Sequence, residues 1–141
     1  MKYVRLDAWP PDHAKNAYEK GFFVEALQVL HAWIELQAKE LLIQVGCVRF
    51  STKYPDTWDS LDELDYKDVV RSLYAIGQLT EKELTELLSI NSARNKMIHR
   101  IFKEPHQHFH RGFPEQEYER VFKAAMTWAG RIYNMVSDFK K

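Results

Sequence analysis

Residues 80–99 have the sequence TEKELTELLSINSARNKMIH, which specifies a helix more completely than any other part of the chain. Thr80 and Glu83 form a capping-box pattern, which places the helix start near Glu81. Large apolar residues then recur at helical spacing, and they are Leu84, Leu87, Leu88, Met97, Ile98 and Ile101. The stretch therefore predicts one long amphipathic helix that packs against other helices.

One cation interrupts this apolar stripe. Seven residues are nearly two helical turns, so Leu87, Arg94 and Ile101 fall on almost the same line. Arg94 is therefore predicted to face the core, where a guanidinium needs hydrogen-bonded or charged partners because a lone buried charge is costly. A polar row at steps of four residues runs beside the stripe and consists of Asn91, Asn95 and His99. The two rows predict a polar patch late in the helix.

Amphipathic helical patterns occupy most of the remaining chain. They predict a short helix capped by Asp12 and ending at Gly21, a long helix from Phe22 to about Gly46, a helix from Ser60 or Asp65 to Gly77, and a last helix from Pro114 to Phe139. Two segments, Cys47 to Asp59 and Phe102 to Phe113, lack a sustained period and are predicted to be loops. No segment has a strand pattern. The expected fold is all-α, an antiparallel bundle of four to five helices.

The length and the net charge of the chain limit the classes of function that it can have. The chain has 141 residues, 45% of them apolar, which suits a single domain over residues 1–141. Twenty Lys and Arg side chains balance twenty Asp and Glu side chains, so no overall basic field indicates nucleic acid. RNA binding would need a local basic patch. Residues 94–111 supply one, because their five Lys and Arg side chains face Glu104 alone.

Cysteine usage and hydropathy indicate a compartment. A lone Cys47 excludes an internal disulfide and suits a reducing environment. Residues 1–11 lack the pattern of a signal peptide, and no apolar run approaches the roughly 20 residues that span a bilayer. We expect a cytoplasmic protein with no membrane association.

The Arg-Asn-x-x-x-His pattern, near the end of the penultimate long helix of an all-helical domain, resembles the motif of the HEPN superfamily. The resemblance implies a homodimer that brings two motifs together and, in many members, a metal-independent endoribonuclease that acts as a toxin, in defence or in RNA processing. It implies that Arg94 and His99 are the catalytic pair and that Asn95 is the polar residue that usually follows the Arg. No cofactor is expected. Some HEPN toxins have a Tyr two residues after the His that a partner nucleotidyltransferase modifies, and this chain has Ile101 there, which departs from that form of control.

The chemistry of RNA cleavage fits these residue types. Attack by the 2′-OH on the adjacent phosphate needs a base for the hydroxyl proton and a cation for the charge on the phosphate oxygens. Imidazole suits the first task and guanidinium the second, so His99 is the predicted base and Arg94 the predicted phosphate ligand. The products would be a 2′,3′-cyclic phosphate and a 5′-hydroxyl. Asn91 and Asn95 are predicted supporting residues. Candidate RNA contacts are Lys96, Arg100, His106, His108, His110 and Arg111.

The spacing of the catalytic pair predicts a composite site. Five residues correspond to about 140° of helical rotation, so Arg94 and His99 do not lie side by side within one ideal helix. Two motif helices that cross at a two-fold axis would place both pairs along one cleft. We therefore expect a homodimer whose interface is lined by the motif helix.

Three other interpretations are open at this point. Arg94 would be structural if Glu35 or Glu40 of the long helix neutralised it. The domain would be a non-catalytic HEPN module if it only bound a nucleotide or a partner such as a nucleotidyltransferase antitoxin. The histidines at 106, 108 and 110 would be metal ligands, with His99 as a fourth, but their spacing fits no familiar site and no metal is predicted. His31, a single histidine within a helix, is predicted to be a packing or surface residue.

Overall fold

A computed structural model describes residues 1–6, 8–100 and 112–140, and these residues form six α-helices and no strand. The helices are α1 (Pro10–Glu19), α2 (Phe23–Phe50), α3 (Tyr54–Leu61), α4 (Tyr66–Ala75), α5 (Glu81–His99) and α6 (Glu115–Lys140). The all-α prediction is confirmed. The helix count in this part of the chain exceeds the expected four to five because α3 forms in a segment predicted to be a loop.

Helix α2 is the centre of the bundle and contacts each of the other five helices. Its buried side chains point in several directions, as the wide apolar pattern predicts, and Leu30, Ile34 and Leu41 are almost completely shielded from solvent. Burying such a side chain stabilises a fold by about 1.5–3 kcal/mol. The other helices therefore pack around α2 on several sides.

The prediction of a loop from Cys47 to Asp59 is wrong at both ends. Helix α2 continues past Gly46 to Phe50 and stops at Ser51, whose φ of 57° is left-handed. Gly46 instead lies in a close approach, since a Cβ atom there would lie 2.9 Å from the Thr52 hydroxyl oxygen and the exposed Thr52 side chain would have to move. A glycine within an apolar helix can thus serve close packing and does not have to end the helix.

Helix α3 begins at Tyr54, with Pro55 in its first turn. The proline favours a helix start because its fixed φ is helical and its missing N–H is not needed there. The Tyr54 hydroxyl donates a 2.6 Å hydrogen bond to Glu40 Oε2, which ties α3 to α2 and raises the pKa of Tyr54 to about 12. The pattern Tyr-Pro-Asp therefore marks a helix start here.

The start of α5 is confirmed at atomic detail. The Glu83 N–H donates to Thr80 Oγ1 at 3.2 Å, and the Thr80 N–H donates to Glu83 Oε1 at 2.8 Å, which completes the capping box. By contrast, Asp12 does not cap α1: it lies in the first turn, and the N-cap residue is Trp9 without a side-chain hydrogen bond. The consecutive prolines at 10 and 11 begin that helix earlier than the predicted cap.

Helix α6 packs along α2 and α5 and closes the bundle. The Trp128 indole donates a 3.0 Å hydrogen bond to Glu86 of α5, and the Trp33 indole of α2 donates to the Ala129 carbonyl at 3.4 Å. Over residues 1–6, 8–100 and 112–140, no helix is long and apolar enough to cross a membrane.

Candidate functional site between α2, α4 and α5

A polar cavity of about 390 Å³ lies where three helices meet. Helix α2 contributes Gln28, His31 and Glu35, the start of α4 contributes Asp65, Tyr66 and Lys67, and α5 contributes Asn91, Arg94 and Asn95. Its volume is within the range of small-ligand sites, and its walls are unusually polar for a pocket between helices.

Arg94 faces α2, as its position on the helical stripe predicts. Its Nη2 donates a 2.6 Å hydrogen bond to Gln28 Oε1, and its Nη1 donates a 2.8 Å hydrogen bond to Asn95 Oδ1. Its Nε is buried and has no hydrogen-bond partner among the described residues. The ion-pair partners considered for a structural role do not hold it: among the described residues, neither Glu35 nor Glu40 pairs with Arg94.

His31 and Asn91 form a hydrogen-bonded pair in the wall of the cavity next to Arg94. His31 Nε2 donates a 2.7 Å hydrogen bond to Asn91 Oδ1, since an amide oxygen can only accept. The His31 ring stacks on Tyr66 with 4.4 Å between centroids and 16° between planes, and the Tyr66 hydroxyl donates to the Leu87 carbonyl at 2.9 Å. These contacts fix the Asn91 amide and the floor of the cavity.

Burial lowers the pKa of His31 below its ordinary value of 6.5. The hydrogen bond to Asn91 opposes this shift, and the nearby Arg94 charge adds to it. The imidazole is therefore neutral at pH 7 and does not compete with Arg94 for an anion.

The lowered pKa of His31 predicts a pH dependence of folding. The unfolded chain binds a proton near pH 6.5 and the folded chain only at lower pH, so the stabilising effect of neutral His31 is complete above pH 6.5 and is lost as the pH falls below it. We expect urea unfolding of the wild type to lose more free energy between pH 7.5 and 5.5 than unfolding of His31→Gln, whose amide still donates to Asn91. Equal losses in the two proteins would contradict this assignment.

His99 lies apart from the cavity. It is exposed at the last position of α5 and does not line the cavity that holds Arg94, Asn95 and Asn91. The structure of one chain thus brings Arg94 together with the two supporting asparagines, and it does not bring Arg94 together with His99. This separation agrees with the angular offset that the spacing predicts.

The candidate RNA contacts divide into two groups. Lys96 and Arg100 are exposed at the same end of α5 as His99, and the Lys96 ammonium lies 5.2 Å from the centre of the Phe113 ring. The Arg100 N–H donates to the Lys96 carbonyl and ends the helix. The remaining candidates, His106, His108, His110 and Arg111, lie outside the described residues.

Gln28 and His31 were missed as site residues by sequence reasoning. They stand three residues apart on α2, and Glu35 follows four residues later, so the three form a polar row on a helix that is otherwise mostly apolar. That row was a usable signal, because polar side chains on one face of a central helix need partners on a neighbouring helix. The polar row did not indicate which helix would pack against it.

Metal chemistry has no support within residues 1–6, 8–100 and 112–140. No group of three or more His, Cys, Asp or Glu side chains there is arranged to hold an ion. Cys47 is a half-buried free thiol on α2. The histidines at 106, 108 and 110, which were considered as metal ligands, lie outside this part of the structure.

The cavity presents one guanidinium held by neutral amides, which is a suitable arrangement for an anionic ligand. No protein-family model, curated protein or solved structure matches this chain. The chemistry of the cavity and of the α5 end is therefore the basis for assigning a function.

Proposed function

We propose that this protein is a HEPN-like, metal-independent endoribonuclease that acts as a toxin or defence effector in the cytoplasm. In this proposal the RNA 2′-OH attacks the adjacent phosphate, His99 removes the hydroxyl proton, and Arg94 stabilises the charge on the phosphate oxygens. The observation that carries the proposal is the state of Arg94: its guanidinium lines a polar cavity, and among the described residues its hydrogen-bond partners are the neutral amides of Gln28 and Asn95.

The neutrality of the partners is what makes Arg94 available to a phosphate. A carboxylate at the position of Gln28 Oε1 would cancel the guanidinium charge, and a phosphate would then gain little by approaching. An amide oxygen orients the guanidinium through a 2.6 Å hydrogen bond and leaves its positive charge intact. Asn95 acts in the same way at Nη1. A guanidinium that is held in position and keeps its positive charge is suited to stabilising the negative charge that develops on a phosphate.

The exposure of His99 fits the role of a base. A general base must reach the proton of a bound substrate, and the last position of α5 is open to solvent. Lys96 and Arg100 are exposed within three residues of it and supply positive charge for the RNA backbone. The polar residues of this helix end therefore fit RNA as a substrate.

Separation of the pair within one chain is the reason to propose a homodimer. Arg94 points toward α2, and His99 lies about 140° further round α5. A two-fold axis near the C-terminal half of α5 would allow His99 of one chain to approach RNA held by Arg94 of the other. A monomer at micromolar concentration, measured by sedimentation, would count heavily against the proposal.

The proposal predicts RNA cleavage that survives excess EDTA and leaves 2′,3′-cyclic phosphate and 5′-hydroxyl ends. Replacing Arg94 by Lys keeps the charge but removes the paired donors, and it should lower the cleavage rate about 10- to 100-fold, the effect of losing one charged hydrogen bond. Gel analysis of end-labelled RNA with the wild type and Arg94→Lys measures both effects.

Arg71→Lys is the matched control, because Arg71 is exposed on α4 and does not line the cavity. Its cleavage rate should equal that of the wild type. Cleavage that disappears with EDTA would indicate a metal-dependent reaction and refute the mechanism. Complete absence of cleavage by a dimeric, folded protein would instead favour the non-catalytic module, which binds a nucleotide or a nucleotidyltransferase partner.

A further inference from the structure

One carboxylate of the cavity lies apart from Arg94. Glu35 of α2 is half-buried and lines the cavity wall, and no hydrogen bond or ion pair joins its carboxylate to another described residue. Its charge acts on the neighbouring Tyr66, where it adds to the larger effect of burial in raising the pKa of the hydroxyl. The Glu35 carboxylate therefore offers two acceptor oxygens to a ligand in the cavity.

The spacing along α2 separates this carboxylate from the phosphate site. Gln28, which orients Arg94, and Glu35 are seven residues apart, which is nearly two turns and about 10 Å along one face of the helix. Ala32 lies between them on the cavity wall, and its single methyl group leaves room for a flat ring. The arrangement suits one nucleotide whose phosphate binds Arg94 and whose base reaches Glu35.

The chemistry of a carboxylate selects among the four RNA bases. Its two oxygens accept hydrogen bonds and donate none, so it binds best to two donors that lie side by side. Guanine alone has such a pair on its Watson–Crick edge, in the ring N1–H and the exocyclic amino group. Adenine and cytosine have a ring acceptor beside their amino group, and uracil has a carbonyl on each side of its N–H. Each of these three bases would place an acceptor against a carboxylate oxygen.

Lys67, near the start of α4, supplies a complementary charge. Its side chain lines the same cavity, and the O6 and N7 atoms of guanine are acceptors that a lysine ammonium binds. The other carboxylate of the cavity has a structural role, since Asp65 Oδ1 accepts from the Asp68 N–H at 2.9 Å and caps α4. Glu35 and Lys67 together therefore provide an acceptor and a donor that match the edges of guanine.

We propose that Glu35 recognises a guanine base in this cavity, in the nucleotide whose phosphate binds Arg94, so that the protein cleaves RNA next to guanosine. This inference rests on the proposed function of Arg94 and adds the base that the site selects. Recognition of a mononucleotide requires no cleavage. A failure of base recognition and a failure of the ribonuclease proposal are therefore separate results.

Calorimetric titration with nucleoside monophosphates tests base recognition without any reaction. The probes are the 3′- and the 5′-monophosphates of guanosine, inosine, adenosine, cytidine and uridine at pH 7.5. In one of the two series we expect the guanosine compound to bind about 10- to 100-fold tighter than the adenosine, cytidine and uridine compounds, the usual discrimination of a bidentate base contact. Inosine monophosphate, which keeps the N1–H and lacks the amino group, should have an intermediate affinity.

Two isosteric variants separate base recognition from the charge of the cavity. Glu35→Gln exchanges one acceptor oxygen for an NH₂ group, and it should abolish the guanine preference while adenosine monophosphate binds as tightly as before or more tightly. Asp65→Asn removes the same negative charge from the same cavity and keeps a side chain that can cap α4, so the preference should remain. Mapping of the cleavage sites in an RNA of mixed sequence should show the same contrast between the two variants.

Equal affinity of the wild type for all the nucleotides, or failure of all of them to bind at about millimolar concentration, would overturn the proposal. An unchanged guanine preference in Glu35→Gln would overturn it as well. An equal loss in Asp65→Asn would mean that the negative charge of the cavity sets the preference and that Glu35 does not. RNA cleavage without base preference would refute this inference alone, whereas a guanine preference without cleavage would refute the ribonuclease proposal alone.

Discussion

Replacing His99 by alanine is expected to lower the rate constant of RNA cleavage by about 10²- to 10⁴-fold, the usual contribution of a general base. The proposed reaction needs removal of the 2′-OH proton, and His99 is the exposed imidazole at the end of the helix that carries Arg94. Single-turnover cleavage of a labelled RNA under enzyme excess measures the chemical step. Because His99 is exposed, the variant should have the circular dichroism spectrum and melting temperature of the wild type.

Added imidazole gives a sharper version of this test. A free base that enters the space left by the side chain should restore part of the activity of His99→Ala, with a rate that rises with imidazole concentration. It should restore none of the activity of Arg94→Lys. The matched control is His13→Ala, a half-buried histidine on α1 outside the cavity, which should keep wild-type activity. Wild-type cleavage by His99→Ala would exclude His99 as the base.

The second large expected effect is a loss of stability when a buried leucine of the core is shortened. Leu30→Ala is expected to lower the free energy of unfolding by about 2–5 kcal/mol, because Leu30 is completely buried in the central helix and its loss leaves a cavity. Urea unfolding followed by circular dichroism gives this value from the shift of the midpoint. The matched control removes the same side-chain atoms at another position on α2.

Leu36→Ala is that control. Leu36 is also on α2 but is 43% exposed, so its replacement should cost less than about 1 kcal/mol. Both substitutions change helix propensity equally, and the difference between them therefore reports burial alone. Similar losses for the two variants would contradict the placement of α2 at the centre of the bundle.

Local patterns were sufficient for several features of the fold. The capping box of Thr80 and Glu83 fixed the start of α5, and both of its hydrogen bonds are present. Periodicity placed Arg94 on the buried side of α5, and its side chain indeed reaches α2. These predictions succeeded because their causes lie within one or two helical turns, where spacing alone decides which side chains meet.

The errors have a common physical origin. Gly46 and the Tyr54-Pro55-Asp56 segment have the composition of breaks, and yet α2 runs through the first and α3 begins at the second. Contacts around the α2–α3 connection favour these conformations: the Thr52 N–H donates to the Gly46 carbonyl at 3.3 Å, and Glu40 accepts from the Tyr54 hydroxyl. Tertiary packing overrides a weak local preference when it supplies such contacts.

The sequence by itself determined that the chain is helical, where α5 begins, and that Arg94 is an inward-facing cation. Only the tertiary structure decided what surrounds it. Gln28 and His31 come from α2, more than a helix away in the chain, and they meet Arg94 and Asn91 because α2 and α5 pack against each other. Helical spacing fixes the direction of a side chain on its own helix, but the partner it meets depends on how the helices are packed. That packing gives the Arg94 guanidinium a neutral amide of α2 as a hydrogen-bond partner.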